Sequence, residues 1–234
     1  KLYQESFNYE FSQDLEKLNY NFDDTFYSEL KLLIKNIRNI IISGGEPFLN
    51  DNFYYFLQWL IDNKFSHDLK ITVFSNLTKL PKNFKKYFDK FRTFTINVSI
   101  DGVGTKDEYI RRGTIFAEKN SNIEQLKNFF NINFCVTLSI LNVGYQKEII
   151  KYCSKFNKKP SFFNVLVEPF YFQINNLPKE IVDMYTSRGE HHILYNSKIK
   201  NVEHFKLGIK FLKKYDVIHE TSLLTEWPEF EKYY

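Results

Sequence analysis

Short apolar segments alternate with amphipathic segments along the middle of the chain. Five apolar segments have the length and composition of buried strands in a parallel sheet: 39–43, 71–74, 94–100, 134–141 and 162–167. Between them, apolar residues spaced about 3.6 positions apart predict helices over 53–62, 81–88, 121–130 and 145–156. No hairpin signal separates consecutive strands, so the pattern predicts right-handed β–α–β crossovers and one parallel sheet, either open or curled into part of a barrel.

Helices are also predicted before and after this alternating region. Residues 26–37 form one helix, with Asp23 and Asp24 as candidate N-caps, and residues 178–184 and 202–215 form two more. No repeat, linker or low-complexity tract interrupts the chain. We therefore predict one domain in three parts: an N-terminal segment over 1–25, an α/β core over 26–170 and a mostly helical extension over 171–234.

Composition and charge exclude several classes of protein. Hydrophobic residues are 43% of the chain and charged residues 26%, which is typical of a globular protein and excludes a disordered one. The net charge of +4 includes no Lys/Arg block typical of a nucleic-acid surface, and no apolar run approaches the roughly 20 residues of a membrane span. Cys135 and Cys153 show neither metal-ligand spacing nor a disulfide framework, so we expect a reducing, cytoplasmic setting.

A polar residue follows each predicted strand: Glu46, Ser75-Asn76, Asp101, Asn142 and Glu168. Because the carboxyl ends of parallel strands meet at one edge of the sheet, these residues would line one crevice. For any one of them taken alone, a turn role is the better explanation, since turns require polar residues. The hypothesis of a shared site depends on all five strand ends being polar.

The motif Gly44-Gly45-Glu46-Pro47 is the most informative of these strand ends. Two glycines after a buried strand permit positive φ or close approach of a ligand to the backbone. A plain tight turn would not require Glu46, whose carboxylate could accept hydrogen bonds from a bound ammonium group. Pro47 is well placed to open the following helix.

A second motif follows the third predicted strand. Ser99 and Asp101 lie two positions apart on a strand and therefore point the same way, where they could hold the vicinal hydroxyls of a ribose. A strand that ends in an Asp-Gly turn is an equally good interpretation. Arg111 or Arg112 could reach a ligand carboxylate.

Taken together, these segments resemble the radical S-adenosylmethionine (radical SAM) superfamily. Residues 40–49, IIISGGEPFL, look like its GGEP strand, and residues 98–102 with 109–113 look like its ribose-binding segment. Residues 75–78, 139–143 and 225–230 are similar to the twitch-domain-containing group of that superfamily. The resemblance covers about residues 26–234 in the family's order.

The resemblance implies a partial (β/α) barrel of parallel strands that lacks its first strand here and ends in a C-terminal helical segment. It also implies a set of residues that bind SAM: Gly44, Gly45, Glu46, Pro47, Asn76, Ser99, Asp101, Arg111 and Asn142. The GGEP residues would hold the methionine amino group of SAM. Ser99 and Asp101 would contact the ribose or the carboxylate, and Arg111 would contact the carboxylate. The two asparagines would line the crevice.

In that family a 4Fe–4S cluster reduces the sulfonium of SAM, and the resulting 5′-deoxyadenosyl radical abstracts a hydrogen atom from the substrate. The resemblance therefore implies this reaction on an unknown peptide, sugar or nucleotide-linked substrate, with an electron donor such as flavodoxin or ferredoxin. Tyr171, Gln173, His191 and His192 are candidate substrate contacts in the C-terminal region.

The chain departs from the family at the cluster itself. The family holds it with three cysteines spaced C-x3-C-x2-C, and this sequence has no such triad. We expect that triad, the first barrel strand and any auxiliary-cluster cysteines to lie outside these residues, the triad upstream of Lys1. The alternative is a non-catalytic SAM- or ligand-binding module that has lost the cluster. A third possibility is an acid–base enzyme in which two of Glu46, Asp101 and Glu168 lie about 5–10 Å apart.

Overall fold

The computed structural model describes residues 23–87, 89–190 and 201–234. The chain divides into two compact units, Lys1–Ile37 and Arg38–Tyr234. His191 and His192, proposed above as substrate contacts, lie outside the described residues, as does Phe88 at the end of one predicted helix.

The first unit contains one α-helix among its described residues. Helix α1 spans Asp24–Leu33 and continues as a 3-10 turn over Ile34–Asn36. Asp23 is its N-cap, since the carboxylate accepts a hydrogen bond from the Phe26 N–H at 2.9 Å. The predicted helix and the N-cap role of Asp23 are confirmed.

The second unit contains a five-stranded sheet in which every neighbouring pair is parallel. The strands are β1 (Asn39–Ile42), β2 (Lys70–Ser75), β3 (Thr93–Ser99), β4 (Asn131–Leu138) and β5 (Ser161–Val165), and they lie side by side in sequence order. This confirms the predicted α/β class and the parallel sheet.

The two faces of the three central strands, β2, β3 and β4, differ in burial. On one face Val73, Val98 and Val136 are fully buried and belong to the hydrophobic core. The alternating positions are half-buried and mainly polar, as at Asn97 and Asn133, whose side chains are hydrogen-bonded across the strands at 3.2 Å. Parallel sheets are usually apolar on both faces, so the polar face distinguishes this sheet.

Helices connect most of the strands, and further helices follow the last strand. The connecting helices are α2 (Asp51–Asp62), α3 (Thr105–Ile110), α4 (Phe116–Leu126) and α5 (Gln146–Ser154). After β5 come α6 (Lys179–Ser187), α7 (Val202–His219) and α8 (Leu223–Glu226), and no further strand is present among the described residues. In the described part of the chain, none of the helices combines the length and the apolar character needed to cross a membrane.

Three sequence predictions were wrong in detail. The helix predicted over 81–88 is only a 3-10 turn at Phe84–Lys86, because Asn83 adopts a left-handed conformation (φ 48°) that interrupts a helix. The helix predicted over 121–130 is α4, which begins five residues earlier, at Phe116. The strand predicted over 134–141 is β4, which begins at the polar residue Asn131 and ends at Leu138.

Candidate functional site

The GGEP motif forms a sharp turn after β1. Gly44 and Gly45 have φ values of 97° and 56°, which other residues adopt only with strain. No atom lies within 4 Å of where a Cβ would stand on either glycine, so backbone conformation rather than crowding requires them. Pro47 then opens a 3-10 turn over Pro47–Leu49, which Glu46 caps by accepting a hydrogen bond from the Phe48 N–H at 3.3 Å.

Glu46 connects the end of β1 to the end of β2. Its Oε1 accepts a hydrogen bond from the Ser75 hydroxyl, and its Oε2 accepts one from the Asn76 N–H, both at 2.7 Å. The carboxylate therefore fixes the backbone at Asn76 and orients the side chain of that residue.

The chain of polar contacts continues from Asn76 to β3 and β4. Arg111, at the end of α3, donates from Nη1 to Asn76 Oδ1 at 2.5 Å, and its Nε lies 2.8 Å from Asp101 Oδ2. Asp101 Oδ1 accepts a hydrogen bond from the Thr137 N–H at 2.8 Å. We call Glu46, Asn76, Arg111 and Asp101 the strand-end network.

Asp101 is almost completely buried, with 5% of its surface exposed. Burial raises the pKa of this carboxyl above its ordinary value, and the Arg111 guanidinium and the Thr137 N–H act in the opposite direction. The ion pair with Arg111 therefore compensates part of the cost of burying the charge.

A buried ion pair lies directly behind Asp101. Asp107 Oδ1 accepts a hydrogen bond from the Asp101 N–H at 2.9 Å, and Asp107 Oδ2 lies 2.5 Å from Lys119 Nζ. Lys119 also donates to the Ser99 carbonyl at 3.2 Å. Both side chains of the pair are fully buried; burial lowers the pKa of Lys119, and Asp107 opposes that change.

A cleft of about 410 Å³ opens beside the strand-end network. The lining residues are Asn76, Asp101, Ile110, Arg111, Arg112, Thr137, Ser139, Leu141, Leu166, Pro169 and Phe172. Some of these side chains are polar or charged and the others are apolar, a combination typical of small-molecule binding sites. Asp101 is the one carboxylate among the described residues that line it.

Asp101 and Arg111 retain hydrogen-bonding capacity toward this cleft. A carboxylate offers about four acceptor sites, and in the described part of the chain Asp101 accepts a hydrogen bond from the Thr137 N–H and forms an ion pair with Arg111. A guanidinium offers five N–H groups; Arg111 donates one of them to Asn76, and its Nε lies within ion-pair distance of Asp101 without forming a hydrogen bond. Both residues can therefore bind a ligand without breaking the network.

Other predicted site residues lie outside the lining of this cleft, including all four residues of the GGEP motif, Gly44-Gly45-Glu46-Pro47. Asn142 is 1% exposed and closes its own turn, accepting from the Ser139 N–H at 2.8 Å and donating to the Thr137 carbonyl at 2.9 Å. Asn142 lies four residues after the end of β4. Its side chain therefore positions the lining residues Ser139 and Thr137 and does not itself line the cleft. Glu168 is exposed and accepts a hydrogen bond from the Phe170 N–H within its own turn.

Ser99 also lies beside the cleft rather than in its lining. The residue is half-buried on the polar face of the sheet. Its carbonyl accepts a hydrogen bond from Lys119, so its backbone belongs to the contacts behind Asp101.

Sequence reasoning missed the Asp107–Lys119 pair and the lining residues Thr137 and Phe172. One signal was available for the pair. Lys119 lies at the spacing of the buried stripe of α4, together with Ile123 and Leu126, where an apolar residue would be expected.

The two cysteines do not form a metal site. Cys135 is half-buried in β4, Cys153 is fully buried in α5, and burial raises the pKa of both thiols, that of Cys153 to about 12. Among the described residues, no group of three His, Cys, Asp or Glu side chains could hold a metal ion. Two cysteines also cannot supply a three-thiolate ligand set.

A second cleft, of about 550 Å³, lies between α3 and the corner that joins α7 to α8. Arg112 lines both clefts. Next to this second cleft, Asp216 is 4% exposed and accepts four hydrogen bonds within 3.1 Å. The donors are the Tyr109 hydroxyl, the Thr221 hydroxyl, the Leu223 N–H and the Tyr234 hydroxyl.

Comparison with known proteins finds no protein-family model and no curated protein that matches the chain.

Proposed function

We propose that this chain is the SAM-binding body of a radical SAM protein and that SAM binds in the cleft beside the strand-end network. The supporting observation is that Glu46, Asn76, Arg111 and Asp101 form one continuous set of polar contacts. These residues come from segments 40–49, 75–78, 98–102 and 109–113, which resemble three motifs of the same family.

The chemistry of the lining fits the parts of SAM. The remaining N–H groups of Arg111 would pair with the methionine carboxylate, because a guanidinium binds carboxylates through two parallel hydrogen bonds. The remaining acceptor sites of Asp101 would take hydroxyl donors such as those of the ribose. Phe172, Leu166 and Leu141 supply apolar surface for the adenine.

The strand order supports the same proposal. Five parallel strands in sequence order are what a (β/α) barrel requires, with the ligand at the carboxyl ends of the strands. We therefore also propose that the sheet curls into a partial barrel.

The residues of this chain do not fit the iron–sulfur cluster. When bound, such a cluster supplies the electron that cleaves the sulfonium, but Cys135 and Cys153 lie in a strand and in the core. For the radical reaction the thiolates must come from residues outside this sequence. The same observation favours the second candidate function, a SAM-binding module without radical chemistry.

Calorimetry with SAM tests the binding step. We expect the protein to bind SAM and Arg111→Met to bind it roughly 10- to 100-fold more weakly, the cost of losing hydrogen bonds to a charged group. Glu46→Gln should also weaken binding, because the amide cannot accept from both Ser75 and Asn76. Glu168→Gln, a strand-end carboxylate outside the cleft, is the matched control. Absence of binding by the unmodified protein would refute the proposal.

A second experiment separates the two candidate functions. The chain extended by its upstream coding sequence is reconstituted anaerobically with iron and sulfide. A 4Fe–4S absorption spectrum and release of 5′-deoxyadenosine would support the radical enzyme. SAM binding without either signal would support the non-catalytic module.

A further inference from the structure

We propose that Asp107 and Lys119 are positioning residues, which hold the end of β3 so that Asp101 and Arg111 face the cleft. This inference rests on the proposed SAM-binding function and adds to it a part of the molecule that does not touch the ligand. Neither residue lines the cleft.

The pair satisfies backbone groups that the sheet leaves without a strand partner. The Ile100 N–H donates to Cys135 in β4, so the backbone groups of Ser99 and Asp101 point to the opposite edge of β3. The strand partner on that edge is β2, and its last pairing with β3 is between Ser75 and Val98. Buried backbone groups require partners, and the pair supplies them beyond this point.

Each member of the pair binds one of these groups. Asp107 Oδ1 accepts from the Asp101 N–H at 2.9 Å, and Lys119 Nζ donates to the Ser99 carbonyl at 3.2 Å. The ion pair between them, at 2.5 Å, joins the two contacts into one unit. The backbone that positions the Asp101 carboxylate is thus held from behind, while Thr137 and Arg111 hold the carboxylate itself.

Gly102 allows the pair to come this close. A Cβ on Gly102 would lie 2.7 Å from the Asp107 backbone nitrogen, closer than non-bonded atoms tolerate. The glycine after Asp101 therefore permits the first turn of α3 to pack directly against the end of β3.

Stability alone does not account for two fully buried charges. Burying an ion pair costs desolvation free energy that its attraction rarely exceeds, and apolar residues of similar volume are often as stable or more stable. Apolar residues at 107 and 119 could fill the core, but they could not bind the Ser99 carbonyl or the Asp101 N–H. The pair is therefore best explained by what it positions.

The test replaces both charges at once with Asp107→Leu and Lys119→Met, which leaves no unpaired buried charge. We expect this double variant to fold and to bind SAM on the order of tenfold more weakly, as when an orienting hydrogen bond is removed from behind a ligand-binding group. The exposed pair Lys179–Asp183, 2.8 Å apart, is the matched control, and Lys179→Met with Asp183→Leu should bind normally. A folded Asp107→Leu, Lys119→Met variant with unchanged affinity would overturn the proposal.

A second measurement needs no ligand. The Nε–H resonance of Arg111 in a ¹H–¹⁵N spectrum reports its ion pair with Asp101, and we expect it to shift or broaden in the double variant. If the unmodified protein does not bind SAM, the proposed function fails, and this resonance alone decides the positioning role. An unchanged resonance would overturn it.

If the double variant does not fold, the single variant Asp107→Asn tests the positioning role. It retains an acceptor for the Asp101 N–H but turns an amide donor toward Lys119, so affinity and the Arg111 resonance should both change. If both remain as in the unmodified protein, the pair has no positioning role.

Discussion

Two buried aspartates in this protein show how differently a carboxylate can be used. Asp216, beside the second cleft, accepts four hydrogen bonds and so occupies all of its roughly four acceptor sites. Asp101, in the strand-end network, accepts from Thr137 and pairs with Arg111, and it lines the 410 Å³ cleft. The two residues are similarly buried, at 4% and 5% exposed.

The difference between them separates structure from function. The contacts of Asp216 tie the end of α7 to α3, to the start of α8 and to Tyr234, and they leave no acceptor site for a ligand. The contacts of Asp101 orient it but leave about half of its sites available. Burial of a charged residue is therefore a weak sign of a binding site, and unused hydrogen-bonding capacity beside a cleft is a stronger one.

The largest expected effect is on stability at Asp216. Asp216→Ala leaves two tyrosine hydroxyls, a threonine hydroxyl and an N–H without their acceptor, so the free energy of unfolding should fall by roughly 3 kcal/mol or more. Urea unfolding measures this loss. A loss below about 1 kcal/mol would show that the four contacts add little.

Trp227 should show the next largest effect. It is fully buried, and its Nε1–H donates to the Leu141 carbonyl at 2.7 Å, which holds the turn that lines the cleft. Trp227→Phe removes the hydrogen-bond donor of that carbonyl and creates a small cavity. The free energy of unfolding should fall by about 2 kcal/mol. Thermal or urea unfolding checks this value, and an unchanged midpoint would contradict it.

At Asp101 the expected effect falls on binding instead of folding. Asp101→Asn keeps the side-chain shape but removes the charge that orients Arg111 and an acceptor site for the ligand. We expect SAM affinity to fall roughly tenfold, about 1.4 kcal/mol, with a smaller change in unfolding free energy. The opposite result, large instability with normal binding, would place Asp101 in the same class as Asp216.

The raised pKa of Asp101 adds a pH dependence to this comparison. A carboxyl with a raised pKa in the folded state stabilises the fold fully below its unfolded pKa, and this contribution is lost as pH rises through the folded pKa. The unfolding free energy of the unmodified protein minus that of Asp101→Asn should therefore decrease from about pH 3.5 to pH 7. Urea unfolding across this range tests the sign, and an increase would contradict it.

The smallest effect is expected at Glu168. Its side chain is exposed and bonded within its own turn, so Glu168→Gln should change the free energy of unfolding by less than about 0.5 kcal/mol. SAM affinity should be unchanged by calorimetry. A clear loss of affinity would mean that the binding site extends past this 410 Å³ cleft.

Much of this arrangement was predictable from the sequence where the pattern was strong. The first three strands matched their predicted positions within one residue at each end, because each is an apolar run that ends in a turn motif. β4 was misplaced because it begins with Asn131 and Asn133 on the polar face of the sheet, where no apolar pattern marks the strand. α3 was missed because it has only six residues, too few to show a period.

The sequence by itself determined the order of elements, the glycine-rich turn at Glu46 and the polar residues that follow the strands, because local periodicity and backbone conformation decide these features. Only the tertiary structure decided which of those polar residues share a site. Asn142 and Glu168 turn back to their own loops, whereas Arg111 reaches two strand ends at once. These outcomes depend on contacts between residues distant in sequence, which no local pattern records.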